Sequence, residues 1–226
     1  MDLDFSSEQD AFRKVVRDFA EQEIAPHAEE WDRDHVFPVD TVRAMGELGV
    51  FGLIFPEEYG GSGADFTTFC IALEEIGRVD QSMAITVEAA VGLGANPIYQ
   101  FGTEEQRQQW LPELCSGQAL AGFGLTEPNG GSDAGSTQTK AVLDGDEWVI
   151  DGRKEFITNS GTPITSVVNV TAVTGETAGR REISTLMIPS ATPGFTVEPA
   201  YRKMGWHASD THPLSFDNCR VPADHI

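Results

Sequence analysis

A chain of 226 residues with 40% hydrophobic content can bury a substantial core, in one large or two small domains. Its 36 acidic against 15 basic residues, a formal net charge of −21, oppose a nucleic-acid or anionic-membrane surface, because phosphates would be repelled. No run of about eighteen apolar residues provides a membrane span, and "MDLDFSSEQD" has neither the basic region nor the apolar core of an export signal, so a cytoplasmic location is expected.

The first half reads as helices. Ser6 and Gln9 have capping-box spacing, and Phe12, Val15, Val16 and Phe19 recur on one face, which predicts a helix through "SSEQDAFRKVVRDFAEQEI". Pro26 and Pro38 punctuate the chain. "TVRAMGELGVFG" predicts a second helix ending near Gly49, and "PEEYGGSG" is a turn-rich loop. "FTTFCIALEEIGRVD" and "SMAITVEAAVGLGANPIYQ" predict a third and a fourth helix. "GTEEQRQQWLPELCSG" predicts a fifth, with Thr103 and Gln106 again in capping-box spacing.

After about residue 120 the period changes to two. "KAVLDGDEWVIDG" reads as strand, turn at Asp144-Gly145, strand, and a second turn at Asp151-Gly152. "EFIT", "SVVNVTAV", "STLMIP", "FTVEP" and "PLSF" follow as short strands. Helices followed by strands predict an α+β chain, helical up to about residue 120 and a sheet or barrel after it.

Cys70, Cys115 and Cys219 form no CxxC pair and read as reduced, mostly buried thiols. His207 and His212 have no HExxH or carboxylate cluster beside them, so no metal site is expected. "GSGADF" from Gly61 lacks the third glycine of a dinucleotide fingerprint, and "GGSDAG" lacks nucleophile-elbow spacing. In "LTEPNGGSD", Thr126 offers a hydroxyl, Pro128 to Gly131 permit a tight reversal, and Ser132 can donate to an anion beside exposed N–H groups. A purely structural turn explains the same residues. Phe156 and Thr158 of "EFIT" are equally open: core packing, or an aromatic wall and a hydroxyl for a flat heterocycle.

Order and spacing favour the second reading. "LGVFGLIFPEEYGGSG", "EEIGRVDQS", "LTEPNGGSD", "DGRKEFITNSG" and "MGWHASDTHPLSFDNCRVP", in this order, resemble the acyl-CoA dehydrogenase family along essentially the whole chain. The resemblance implies an all-α helical domain over 1–121 and a β-barrel middle domain over 122–226, with FAD held between the barrel and the helices and Phe123 to Ser132 as one flavin segment. Leu125 and Thr126 would face the flavin pyrimidine edge, and Gly131 and Ser132 the pyrophosphate. Ser132 would also lie near the acyl-CoA substrate. Phe156, Ile157 and Thr158 would form the second segment, with Thr158 approaching flavin N5 and Phe156 standing where many members carry Trp. The implied reaction removes an α-proton from an acyl-CoA thioester while a β-hydride passes to the flavin, within fatty-acid metabolism and with electron-transfer flavoprotein as acceptor.

Family members carry their catalytic glutamate in a C-terminal helical bundle that has no counterpart within residues 1–226. No catalytic residue is therefore assigned. Glu88 and Glu127 could be substitutes, but surface or capping roles are expected for both. The chain is expected to be inactive alone, and to form a homo-oligomer only with the bundle supplied. The alternative is a non-catalytic flavin- or acyl-CoA-binding partner subunit.

The dispersed acids suit a salt-rich cytoplasm, in which ions screen self-repulsion. The stability of the chain should therefore rise with added salt in urea titrations; loss of structure at high salt would contradict this reading.

Overall fold

A computed structural model describes residues 4–226. The first helix, α1 (Ser7–Phe19), starts at a capping box: Gln9 N donates to Ser6 Oγ at 3.1 Å, and Ser6 N donates to Gln9 Oε1 at 3.0 Å. It runs on into a π-helical turn, Ala20–Ile24. Between the two prolines, where the sequence suggested only punctuation, a short α2 (Ala28–Asp34) forms and ends at His35 in the left-handed conformation. After α3 (Val39–Glu47) comes α4 (Phe66–Val79), whose first turn donates from Thr68 N to Asp65 Oδ1 at 2.7 Å. Asp80 then caps α5 (Gln81–Glu88).

The fourth predicted helix is in fact three pieces: α5, a π-helical stretch Ala89–Ala95, and α6 (Asn96–Phe101). Wide π-turns displace carbonyls from the regular ladder, and a side chain from the sheet takes one up. Asn169 Nδ2 donates to Gly94 O at 2.8 Å, while Asn159 Nδ2 donates to Thr86 O on α5 at 2.9 Å. The last helix, α7 (Glu104–Cys115), carries the expected Thr103 and Gln106 capping box.

The strands are β1 (Leu120–Gly124), β2 (Lys140–Asp144), β3 (Glu147–Thr158), β4 (Thr165–Thr177), β5 (Arg180–Pro189), β6 (Phe195–Val197) and β7 (Thr211–Pro222). They form one curled seven-stranded sheet, a half-barrel. β4 pairs antiparallel with β5 along one edge, and its other edge is shared by β1 and the start of β2, both parallel to it. Antiparallel ladders then link β2 to β3, β3 to β7 and β7 to β6.

The predicted turn at Asp144-Gly145 is present, with Gly145 at φ 68°. The one at Asp151-Gly152 is not, because β3 runs through it as a single strand with a register shift. Glycine is needed there for approach rather than reversal: a Cβ on Gly152 would lie 2.5 Å from Thr139 Oγ1.

One apolar cluster joins the helices to the sheet, running from Val16, Met45 and Ile76 to Leu120, Val167 and Met187. A second lies within the sheet around Ile150, Ile157 and Val168. At the far side His207 N donates to Asp32 Oδ1 at 3.1 Å, and the His207 ring stacks on His35 at 4.1 Å, tying the end of α2 to the loop before β7. Among the described residues no helix is long and apolar enough to cross a membrane.

Contact between the π-helical stretch and β1 sets a sharp steric test. A Cβ on Gly94 would lie 2.7 Å from both Cβ and O of Ala121, whereas one on Gly92 would meet only the flexible carboxylate of Glu88, at 2.9 Å. Gly94→Ala should destabilise the chain by about 1–3 kcal/mol, because overpacking against backbone exceeds the gain in helix propensity. Gly92→Ala should be neutral or stabilising by up to about 1 kcal/mol. Urea unfolding of both variants checks the contrast, and equal effects would contradict it.

Candidate functional site

The two motif segments, about thirty residues apart in sequence, lie side by side. β1 runs beside the C-terminal half of β3, and its glycines permit the approach. A Cβ on Gly122 would stand 2.9 Å from Thr158 O, and one on Gly124 would stand 3.1 Å from Lys154 Cγ. Just beyond β1, Glu155 N donates to Thr126 O at 2.8 Å. β1 and the end of β3 thus meet by close backbone approach, and one main-chain hydrogen bond joins Thr126 to Glu155.

A buried ion pair fixes the turn. Glu127 N donates to Gly130 O at 2.7 Å, and Gly130 N donates to Glu127 O at 3.1 Å, which closes the expected reversal over Pro128-Asn129. Beneath it, the fully buried Lys154 Nζ donates to Glu127 Oε1 at 2.7 Å, to Thr171 Oγ1 at 3.1 Å and to Leu125 O at 3.2 Å. Thr171 Oγ1 spends its own proton on Gly124 O, so all three partners are acceptors and the amine must be an ammonium. Glu127 also accepts from Thr139 N at 3.0 Å and, through Oε2, from Gln138 N at 2.7 Å.

Burial alone would raise the Glu127 carboxyl, but the bonds from Lys154, Thr139 and Gln138 together outweigh it and hold it below the ordinary carboxylate range. Burial pulls the Lys154 ammonium down from its usual value, against the attraction of Glu127. Both groups remain charged.

These positions correct the expectation that Glu127 serves a surface or capping role. Glu88 closes α5 half-buried, lining a cleft of about 510 Å³ with Ala84, Ile85 and Trp206, and burial raises its carboxyl. Lys154 escaped the sequence reading, although a signal existed: alternation along β3 puts it on the same face as Ile150 and Gly152, an interior position for a charged residue.

A bulge then presents the second segment. The β3–β7 register shifts between Lys154 and Ile157, and Phe156 inside it takes φ 63°, an uncommon conformation for an aromatic residue. Its ring turns outward, 63% exposed, and stacks on Tyr201 at 4.8 Å with 28° between planes. Tyr201 in turn bonds the Glu155 carboxylate, and its hydroxyl is pushed up to about 12 by burial and by that carboxylate. Ile157 faces the sheet core, while Phe123, Leu125, Thr126 and Thr158 are partly exposed.

The turn after Glu127 exposes Gly131 and Ser132. Among the described residues the hydroxyls of Thr126, Ser132 and Thr158 form no hydrogen bond, nor do the backbone N–H groups of Gly131 and Ser132. Thr137, Thr139 and Thr171 nearby are all bonded. Free donors at a glycine turn suit phosphate oxygens, and an aromatic face beside a free threonine suits a flat heterocycle. The donor set therefore fits FAD.

Comparison with known proteins agrees. Residues 6–118 match the acyl-CoA dehydrogenase N-terminal domain, and residues 122–219 match its middle domain. A probable acyl-CoA dehydrogenase, YngJ, of Bacillus subtilis is 50% identical over 227 residues, covering 100% of this chain and 59% of the relative. Butyryl-CoA dehydrogenase from Megasphaera elsdenii superposes with a TM-score of 0.94 at 39% identity, covering 100% of this chain and 59% of that one. An acyl-CoA dehydrogenase from Bacillus anthracis, solved with FAD, superposes at 0.91 and 37% identity over 98% of this chain and 38% of its own. The chain thus spans 59% of the length of the B. subtilis relative. By sequence and by fold, the chain belongs to the acyl-CoA dehydrogenase family.

Proposed function

We propose that this chain supplies the flavin-holding part of an FAD-dependent acyl-CoA dehydrogenase acting in fatty-acid metabolism. The observation that carries this reading is the pairing of two distant segments, 123–132 and 156–158, into one surface with free donors and an exposed aromatic face. FAD is the cofactor, and when bound it accepts the hydride leaving the β-carbon of the acyl thioester. Leu125 and Thr126 meet the pyrimidine edge, Gly131 and Ser132 hold the pyrophosphate, and Ser132 also reaches toward the acyl-CoA. Phe156 would wall the ring system, Ile157 would border it through its main chain while its side chain stays in the sheet core, and Thr158 would donate near its reactive nitrogen. Residues 1–121 and 122–226 are the two units that enclose the cofactor, electron-transfer flavoprotein is the acceptor, and a homo-oligomer assembles only when the C-terminal bundle of the family is supplied.

No carboxylate among the described residues is assigned as the base. Both oxygens of Glu127 are taken up by Lys154, Thr139 and Gln138, so it cannot receive a substrate proton without breaking the turn. That same observation favours a second reading, a non-catalytic flavin- and acyl-CoA-binding partner, and a turnover assay distinguishes the two. Butyryl-CoA-dependent dye reduction should be absent with residues 1–226 alone and present when the part of the relatives beyond the matched region is added.

The cofactor reading is tested directly by acid release from the chain purified with flavin, which should yield FAD. Release of FMN would contradict it, because the Gly131 and Ser132 turn would then have no pyrophosphate to hold. Ser132→Ala should weaken FAD binding by about 1–2 kcal/mol through loss of a charge-assisted hydrogen bond. Unchanged affinity at matched salt would make the turn merely structural.

A further inference from the structure

The segment that ends in Thr158 is held from behind by a histidine that the proposed chemistry does not use. His212, on β7, is the cross-strand partner of Ile157, and Thr211 is the partner of Thr158. Its ring has two polar neighbours. Nδ1 lies 2.6 Å from Glu198 O, and Nε2 lies 2.7 Å from Asp210 Oδ1. A carbonyl and a carboxylate oxygen can only accept, so both ring nitrogens must donate and the ring is an imidazolium.

The bond to Asp210 passes onward. Asp210 Oδ2 accepts from Gly161 N at 2.8 Å, and Asp210 O accepts from Asn159 N at 3.4 Å. These two amides shape the turn that directly follows Thr158. The ring packs against that turn so closely that a Cβ on Gly161 would stand 2.6 Å from His212 Nε2. Asn159, at φ 58°, then ties the same turn to α5 through Thr86 O.

We propose that His212, held as an imidazolium between Asp210 and Glu198, is a positioning residue that sets the Phe156–Thr158 segment for the flavin and makes cofactor binding pH-dependent. This rests on the functional reading above. A neutral ring has one N–H, so its other nitrogen would present a lone pair to an oxygen at 2.6 or 2.7 Å. Losing the proton therefore loosens either the link to Glu198, just past the end of β6, or the link to the turn.

The charged groups facing the ring are Asp210 and Lys203, while the Glu198 carboxylate is engaged by Ser215 Oγ at 2.7 Å. The hydrogen bond to Asp210, then the bond to Glu198 O and the Asp210 charge, outweigh burial and the Lys203 charge and raise the ring above the ordinary imidazole range. With the folded value raised, the stabilisation is complete below the unfolded imidazole value and is lost as pH rises through the folded one.

The test uses the full 226-residue chain. Nitrogen-resolved NMR should find His212 doubly protonated at neutral pH and titrating above an ordinary histidine. Amide exchange at Gly161 should be slow, and faster by about tenfold in His212→Gln, whose single nitrogen replaces the two ring nitrogens that face Glu198 O and Asp210 Oδ1. FAD affinity of the wild type should weaken about 5–10-fold as pH rises through the His212 titration. In His212→Gln it should already be weak at low pH and flat with pH.

Should that variant fail to fold, Asp210→Asn, which keeps the shape but removes the charge and leaves one acceptor oxygen for the two donors His212 Nε2 and Gly161 N, should lower the His212 titration and flatten the same profile. A neutral His212 at neutral pH, or an unchanged Gly161 exchange rate and pH profile in the variants, would overturn the proposal. Failure of the wild type to bind FAD at any pH would instead contradict the functional reading; the ring titration and the Gly161 amide would then decide whether His212 holds the turn.

Discussion

The site depends on burying one lysine. Lys154 sits under the junction of the two flavin segments with no solvent exposure, and its ammonium is satisfied by an acceptor from each neighbouring piece of chain. Leu125 O belongs to the first segment, Glu127 to the turn, Thr171 to β4, and Lys154 itself to β3. Removing an ion from water costs several kcal/mol unless such partners are in place, so these elements are stable chiefly in the arrangement that brings them together. The ion pair acts here less as a source of stability than as a specification of geometry, since an apolar replacement would pack without fixing where the turn lies.

That specification releases the rest of the site for ligands. Because Glu127 and Lys154 satisfy the turn from below, the hydroxyls of Thr126 and Ser132 and the N–H groups above it need no internal partner. The bulge at Phe156 works in the same direction. A strand continuing regularly past Lys154 would put residue 156 on the interior face, and the extra residue instead turns the aromatic ring outward and returns Ile157 to the core. The left-handed backbone at Phe156 and at Asn159 is held by ladder bonds to β7 and by the Asp210 link.

Much of this was legible in the sequence because it follows local rules. The capping boxes at Ser6 and Thr103 and the change of period after the helices are short-range patterns, and each formed as read. The misreadings arise where tertiary contact overrides local preference. Asp151-Gly152 has the composition of a hairpin turn, yet Gly152 is there to admit Thr139. "SMAITVEAAVGLGANPIYQ" has no internal stop signal, but the close packing of Gly94 on Ala121 and the amide of Asn169 favour a π-helical stretch in its middle. α2 lies between prolines and has no buried residue of its own, so no apolar stripe announces it. The flavin segments were found by motif, whereas Lys154 showed only as an interior position in the alternation of β3, its partners Leu125, Glu127 and Thr171 lying far away in sequence, and the bonds of His212 to Asp210 and Glu198 depend on how the chain folds between β6 and β7.

The most direct test of this account is the coupling between Lys154 and Glu127, measured with a double-mutant cycle of Lys154→Met and Glu127→Gln, reading urea stability and FAD affinity together. Lys154→Met strands a buried carboxylate and should cost about 3–5 kcal/mol of stability, with part of that loss recovered in the double variant. FAD affinity should fall in both single variants, since either change unfastens the turn. Additive stability losses, or FAD affinity unchanged in both, would show that the pair does not position the site.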